Sequence, residues 1–96
     1  MIRCAGELKN KYPAAKTLIA GHSLGGAIAS LTAVDYTKLG NKVDYFFTYG
    51  APRVGTPEFS AWFIEFVNPN EHWRVTHYKD MVVHTPPSSF GYLHVP

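Results

Sequence analysis

A serine between two glycines is the residue of this chain best placed to do chemistry. Ser23 stands in the pattern Gly-x-Ser-x-Gly with Gly21 and Gly25, after the apolar run at 17–20 and before a helix-like stretch. A sharp strand-to-helix turn of this kind lifts the serine hydroxyl above the end of the sheet. Glycine at 21 and 25 is expected to remove Cβ atoms where strand and helix nearly touch. The pattern therefore predicts a serine nucleophile.

The same turn places Ser23 at the N-terminus of the following helix. The first backbone N–H groups of a helix have no intrahelical partner, and the helix dipole is positive at that end. Such donors stabilise a developing negative charge, as on a carbonyl oxygen under attack. The alternative, a glycine-rich turn that holds a serine without using it, does not explain the strand and helix patterns on its two sides.

Size, charge and cysteine content exclude several other classes. The 96 residues make at most one domain. Nine Lys and Arg oppose seven Asp and Glu, which gives a net charge of +2 without a basic run, so nucleic-acid binding has little support. Cys4 is the only cysteine, which predicts a free structural thiol. The start of the sequence lacks the apolar core of a signal peptide, and no stretch is long enough to span a membrane, which leaves the localisation open.

The spacing of apolar residues predicts helices and strands that alternate along the chain. Helices are expected at 2–12, 24–39 and about 57–67, and strands at 16–20, 43–49 and 73–78. The near-continuous apolar first strand indicates burial on both faces. Alternation predicts an α/β fold with parallel strands, whose active site lies outside their carboxyl ends. Ser23 and Asp80 follow the first and third predicted strands, so we expect both at that edge.

Four ordered blocks make the chain resemble the class 3 lipases, the fungal-type triacylglycerol lipase family of the α/β-hydrolases. The blocks are GHSLGGA at 21–27, TYGAPRVG at 48–55, RVTHYKDMVVHTPP at 74–87 and GYLH at 91–94. The second block is similar to the family's Thr-Phe-Gly-x-Pro-Arg-Val-Gly. The resemblance implies an α/β-hydrolase fold of which residues 1–96 form a single partial domain, the middle part, truncated at both ends.

The resemblance implies a carboxylic ester hydrolase that acts on lipid esters through an acyl-enzyme. Ser23 is the implied nucleophile, Asp80 the implied triad acid, and the backbone N–H of Leu24 an implied oxyanion-hole donor. No metal or organic cofactor is implied, and any contact with a lipid interface would be transient. One departure is at 83–87, where the family's Pro-x-Leu-Pro-Pro reads Val-His-Thr-Pro-Pro. The packing expected around Asp80 therefore differs from the family's, without removing its implied role. The bottom-up alternative for Asp80 is a residue that caps the turn after its strand.

The general base is harder to assign than the nucleophile. The chain holds five histidines, at positions 22, 72, 77, 84 and 94. In the order Ser, Asp, His, His84 follows Asp80 too closely, so only His94 comes late enough. The resemblance, however, implies a catalytic histidine well downstream of the block at 91–94. The expectation is therefore a base beyond Pro96 and an isolated chain with weak activity or none.

Two other functions stay open at the level of sequence. Strands with open edges would expose apolar surface, which fits a non-catalytic remnant or an interaction module. An esterase of the same fold could act on feruloyl-type esters instead of lipids, since the lid and substrate groove would decide the substrate. Arg53 could bind an anionic substrate, but the expected role is to tie the loop after the second strand. The aromatic residues at helical spacing between 59 and 66 are expected to pack in the core.

Overall fold

The computed structural model describes residues 2–77 and 81–95, which include a parallel sheet with helices beside it. The elements are α1 (Ile2–Lys11), β1 (Leu18–His22), α2 (Leu24–Lys38), β2 (Tyr45–Tyr49), α3 (Pro57–Val67), β3 (Glu71–Val75) and two 3-10 turns, Val82–His84 and Ser88–Phe90. The predicted alternation of helices and strands is confirmed. None of the helices described is long and apolar enough to cross a membrane.

The strands pair in their chain order, β1–β2–β3, and every pair is parallel. At their last residues, His22 lies opposite Tyr49, and Tyr49 lies opposite Val75. The three strands therefore end level with one another. We call this side of the sheet the carboxyl edge, because the chain leaves all three strands there.

β3 lies two to three residues earlier than its composition predicted. It runs over Glu71–Val75 instead of 73–78, so Thr76 and His77 lie outside the strand. The reason is its start: the backbone N–H of Asn70 donates to Asp44 O (2.9 Å), which sets β3 against the beginning of β2. Asp80 therefore follows the strand by five positions in sequence. Asp80 itself lies outside the described residues.

The core lies between the sheet and the faces of α2 and α3. Ala33 and Phe63 are fully buried, and the ring of Phe46 on β2 lies 5.3 Å from the ring of Phe63. The expected core role of the α3 aromatics is confirmed for Phe63. Trp62 departs from it, since it is 40% exposed and stacks on Phe66 with ring centroids 4.6 Å apart.

β1 is less buried than its apolar composition predicted. Leu18 is 55% exposed, and exposed and half-buried residues alternate along the strand. β1 stands at the edge of the described sheet and packs against α2. The prediction of burial on both faces is wrong for this structure. An apolar run indicates that a strand tends to be buried, but it does not show whether other elements cover both faces of that strand.

Asp44 joins the starts of the three strands. Its Oδ2 accepts a hydrogen bond from Thr17 N (2.7 Å), and its own N–H donates to Thr17 O (2.9 Å). On the other side, Asp44 Oδ1 accepts from Asn70 Nδ2 (3.4 Å) and Asp44 O accepts from Asn70 N (2.9 Å). One side chain thus pairs groups that precede β1 and β3, which fixes the register at the edge opposite the carboxyl edge.

Two glycines let the start of α2 lie against the end of β1. A Cβ on Gly21 would meet the Gly25 carbonyl and lie 2.7 Å from Gly26 N, and a Cβ on Gly26 would lie 2.6 Å from Ala51 Cβ. A Cβ on Gly25 would have nothing within 4 Å. The prediction that Gly25 relieves crowding is wrong, because successive helical residues point about 100° apart and Gly26 is the one that faces Ala51.

We expect Gly21→Ala to lower the free energy of unfolding by about 3 kcal/mol, since the new methyl meets backbone that cannot move aside. Gly25→Ala is the matched control. It should leave stability unchanged or raise it by up to about 1 kcal/mol, because alanine favours helix over glycine. Urea denaturation of both variants measures the difference. Equal effects of the two substitutions would contradict the assigned crowding.

We expect Asp44→Ala to cost about 1–3 kcal/mol, because it leaves the N–H of Thr17 and the amide of Asn70 without their acceptor. The matched control is Asp35→Ala, an exposed acid on α2, which should change stability by less than about 0.5 kcal/mol. Thermal or urea unfolding compares the two. A loss of the same size from Asp35→Ala would show that Asp44 has no special role in the register.

Candidate active site at the carboxyl edge

Ser23 occupies a strained turn between β1 and α2. Its backbone angles are φ 55° and ψ −126°, a region that costs a non-glycine residue about 1–3 kcal/mol and persists only when the surroundings hold it. Two hydrogen bonds do so: Ser23 N donates to Tyr49 O (2.8 Å), and Gly26 N donates to Ser23 O (2.9 Å). The structure therefore shows the sharp strand-to-helix turn that the sequence predicted, with Ser23 at its apex.

The hydroxyl of Ser23 is not used to cap the helix that it precedes. α2 begins at Leu24, and Ser23 makes no side-chain hydrogen bond to the helix start. The N–H of Leu24 belongs to the first turn, where backbone donors have no intrahelical acceptor. A half-buried serine thus lies next to the first backbone N–H donors of a 15-residue helix, at its positive end. This arrangement is able to stabilise an oxyanion that forms beside Ser23.

The histidines do not supply a visible partner for Ser23. No hydrogen bond joins Ser23 to a histidine in the part of the chain that the structure describes. His22 lies exposed at the end of β1, and His72 lies in β3. His77 is exposed before residues 78–80, and His84 is exposed after them. Adjacency in sequence to Ser23 is therefore not evidence that His22 is the base.

His94 is engaged elsewhere. Its Nε2 is hydrogen-bonded to the carbonyl oxygen of Val83. Because a carbonyl only accepts, Nε2 must carry the proton in this contact. Burial lowers the pKa of His94 below its ordinary value, and the nearby charges of Arg74 and Arg53 lower this pKa further. A histidine whose Nε2 is held in this way is poorly placed to take a proton from a serine.

A cationic cavity of about 350 Å³ lies beyond the ends of β2 and β3. Its lining combines two arginines and three histidines with two further residues: Arg53, Arg74, Thr76, His77, Val83, His84 and His94. No carboxylate of the described residues lines it. This cluster was not predicted from the sequence, where these basic residues were assessed one at a time. The available signal was their recurrence on the two sides of residues 78–80.

Arg53 ties the loop after β2 to the segment at 84–86. Its Nη1 donates to His84 O (2.8 Å) and to Pro86 O (3.1 Å), and its backbone N–H donates to Thr85 O (2.6 Å). The expectation that Arg53 ties its loop is thereby confirmed. Asp80, the predicted acid, precedes this segment but lies outside the described residues, so its role stays a prediction.

Metal ligation has no visible support at this edge. Within residues 2–77 and 81–95, the structure holds no group of three or more His, Cys, Asp or Glu side chains able to bind a metal ion.

Comparison with known proteins identifies the same part of a larger enzyme fold. The model of the family described as lipase (class 3) matches residues 1–90. A lipase of Rhizopus niveus is 43% identical over an alignment of 87 residues, and the match covers 86% of this chain and 22% of that lipase. A secreted mono- and diacylglycerol lipase of Fusarium solani is 41% identical over 86 residues, 90% of this chain and 25% of that protein. The chain thus spans about a quarter of the length of these curated relatives.

Solved structures show the same relation in three dimensions. A triacylglycerol lipase whose catalytic centre is formed by a serine protease triad superposes with a TM-score of 0.88 at 34% identity, over 98% of this chain and 36% of that one. A mono- and diacylglycerol lipase from Aspergillus oryzae gives 0.86 at 34% identity, over 99% of this chain and 34% of that one. The α/β-hydrolase fold is confirmed, and the chain covers only a fragment of that domain. With matching sequence, order of blocks and geometry, the chain belongs to the class 3 lipase family.

Proposed function

We propose that this chain carries the nucleophile of a serine hydrolase that cleaves carboxylic esters of lipids. The observation that supports this most is the strained turn at Ser23, because a backbone cost of this kind is typical of functional sites. The relatives support the substrate class, since they are lipases and a mono- and diacylglycerol lipase. The proposed activity belongs to the whole protein, of which the described edge would be one part.

In the proposed mechanism, Ser23 Oγ attacks the ester carbonyl while a histidine takes its proton. The N–H of Leu24 and a second donor hold the tetrahedral oxyanion. When the intermediate collapses, the C–O bond to the alcohol breaks and the histidine returns the proton to that oxygen. Water, activated by the same histidine, then releases the fatty acid from the acyl-enzyme. Asp80 orients the histidine and stabilises its charged form.

The proposal assigns the base to a histidine later in the full protein than His94. Two observations support this assignment. The Nε2 of His94 is held by Val83 O, and the relatives are about four times as long as the chain that matches them. We accordingly expect the 96 residues alone to keep at most a small remnant of activity, as triads without their base do.

We expect the protein, in the form its source cell makes, to react with a fluorophosphonate probe at Ser23. Ser23→Ala should abolish the label, because the phosphorus is captured by that hydroxyl alone. Ser89→Ala, which removes an exposed serine outside the turn, is the matched control and should leave labelling unchanged. Gel fluorescence and mass spectrometry of the labelled peptide measure this. A wild-type protein that is not labelled by the probe would contradict the hydrolase proposal and favour a non-catalytic remnant or interaction module.

We expect Asp80→Asn to fold normally and to lower turnover by about 10⁴-fold, since loss of the acid leaves the histidine in the wrong tautomer. Circular dichroism checks the fold, and hydrolysis of a p-nitrophenyl ester measures kcat. The control is Asp35→Ala, which should retain full turnover. Full activity in the Asp80→Asn variant would remove Asp80 from the triad and leave its turn-capping role.

A further inference from the structure

Arg53 connects two segments of the carboxyl edge that the sheet does not connect. One is the loop that leaves β2. The other is the segment at 81–86, whose residues 84, 85 and 86 all accept hydrogen bonds from residue 53. Arg53 is half-buried, and its bond to Pro86 O is partly shielded from water, whereas its bond to His84 O is exposed. The charged donor strengthens both bonds. Three hydrogen bonds from this one residue thus join the two segments.

The segment that Arg53 holds continues directly from Asp80. The 3-10 turn at Val82–His84 folds back on Met81, since His84 N donates to Met81 O (3.2 Å), and Thr85 N donates to Val82 O (3.0 Å). Met81 through Pro86 is thus one compact unit. Because consecutive Cα atoms are about 3.8 Å apart, the place where this unit is anchored limits where the preceding residue can lie.

The unit has a second anchor that does not depend on the arginine side chain. His94 Nε2 bonds to Val83 O, and Leu93 N donates to Gly55 O (2.7 Å), two residues after Arg53. The segments at 53–55, 83–86 and 93–94 therefore hold one another in a ring. Loss of the Arg53 guanidinium should loosen this ring without opening it.

We propose that Arg53 is a positioning residue of the triad: by holding 84–86, it sets where the Asp80 carboxylate meets the catalytic histidine. This inference rests on the proposed function, because it takes Asp80 as the triad acid. Binding of an anionic substrate by Arg53 is the weaker reading, since Nη1 already donates to two carbonyl oxygens. Misplacement of a catalytic group by about 1 Å can cost about 100-fold in rate, so a loosened anchor is enough to be measured.

The test is a double-mutant cycle between Arg53 and Asp80 in the protein as the source cell makes it. We expect Arg53→Met to lower kcat for a p-nitrophenyl ester by about 10- to 100-fold with little change in KM. In the Asp80→Asn background, the same substitution should have no further effect on kcat, because the carboxylate that it positions is gone. Arg53→Lys should recover part of the loss, since an ammonium can also donate to the carbonyls of residues 84 and 86.

Two controls separate positioning from charge and from stability. Arg74→Met removes a second positive charge from the same cavity and should leave kcat near that of the wild type. Asp44→Ala weakens the opposite edge of the sheet and should lower the melting temperature without changing kcat of the folded protein. All rates are measured well below the melting temperature of each variant.

Equal losses from Arg53→Met in the wild-type and Asp80→Asn backgrounds would overturn the inference, because Arg53 would then act independently of Asp80. Equal losses from Arg53→Met and Arg74→Met would overturn it too, in favour of a general charge effect. Labelling of Ser23 distinguishes failure of this inference from failure of the proposed function. If the wild type is labelled and the cycle is additive, only the role of Arg53 is wrong.

Discussion

The close approach of β1 and α2 at Gly21 and Gly26 is the constraint on which the rest of the carboxyl edge depends. Room exists there for backbone only, because a Cβ at either position would collide with Gly25 or Ala51. Only this contact lets the chain reverse direction within one residue. Ser23 is that residue, and its strained backbone is the direct consequence. A looser junction would need a longer turn, and the serine would no longer lie beside the first N–H groups of the helix.

The two ends of the sheet are built differently, and the difference matches their roles. At the start of the strands, a single carboxylate, Asp44, pairs groups from two neighbouring segments and fixes the register. At the carboxyl edge the described residues supply basic side chains, such as Arg53 and Arg74, around an open cavity. Hydrogen bonds of one carboxylate therefore fix the strands at the first edge, whereas the carboxyl edge leaves a cavity of about 350 Å³ into which other groups can fit.

Much of this fold was predictable from sequence, because its signals are local. α3 was placed at 57–67 and is observed at Pro57–Val67, where Thr56 accepts a hydrogen bond from Phe59 N (3.2 Å) and Pro57 occupies the first turn. Such caps act within four residues and can be read from the chain directly. The predictions that were wrong concern contacts between distant segments. The extent of β3 depends on a bond to Asp44, and the burial of β1 depends on what lies beside it in space.

The site, like the fold, was predictable only where its signals are local in sequence. Ser23 could be placed because its turn is determined by neighbouring residues. The crowding predicted at Gly25 was wrong, because only the observed helix shows that Gly25 does not face the sheet whereas Gly26 meets Ala51. The histidines carry no local signal that separates a base from a loop residue. Their roles depend on partners far along the chain, as the bond between His94 and Val83 shows.

The carboxyl end of β2 joins the parts of the edge that chemistry must coordinate. Tyr49 O accepts the N–H of Ser23, and the next residue, Gly50, donates to Val75 O at the end of β3 (each 2.8 Å). Three residues later, Arg53 holds the segment that follows Asp80. One stretch of five residues, 49–53, thus makes hydrogen bonds to the nucleophile turn, to the end of β3 and to the segment after the proposed acid. A triad works only when nucleophile and acid keep a fixed relation through the histidine. In the proposed mechanism this stretch would set that relation, and Arg53 supplies side-chain hydrogen bonds from it to the segment after residue 80.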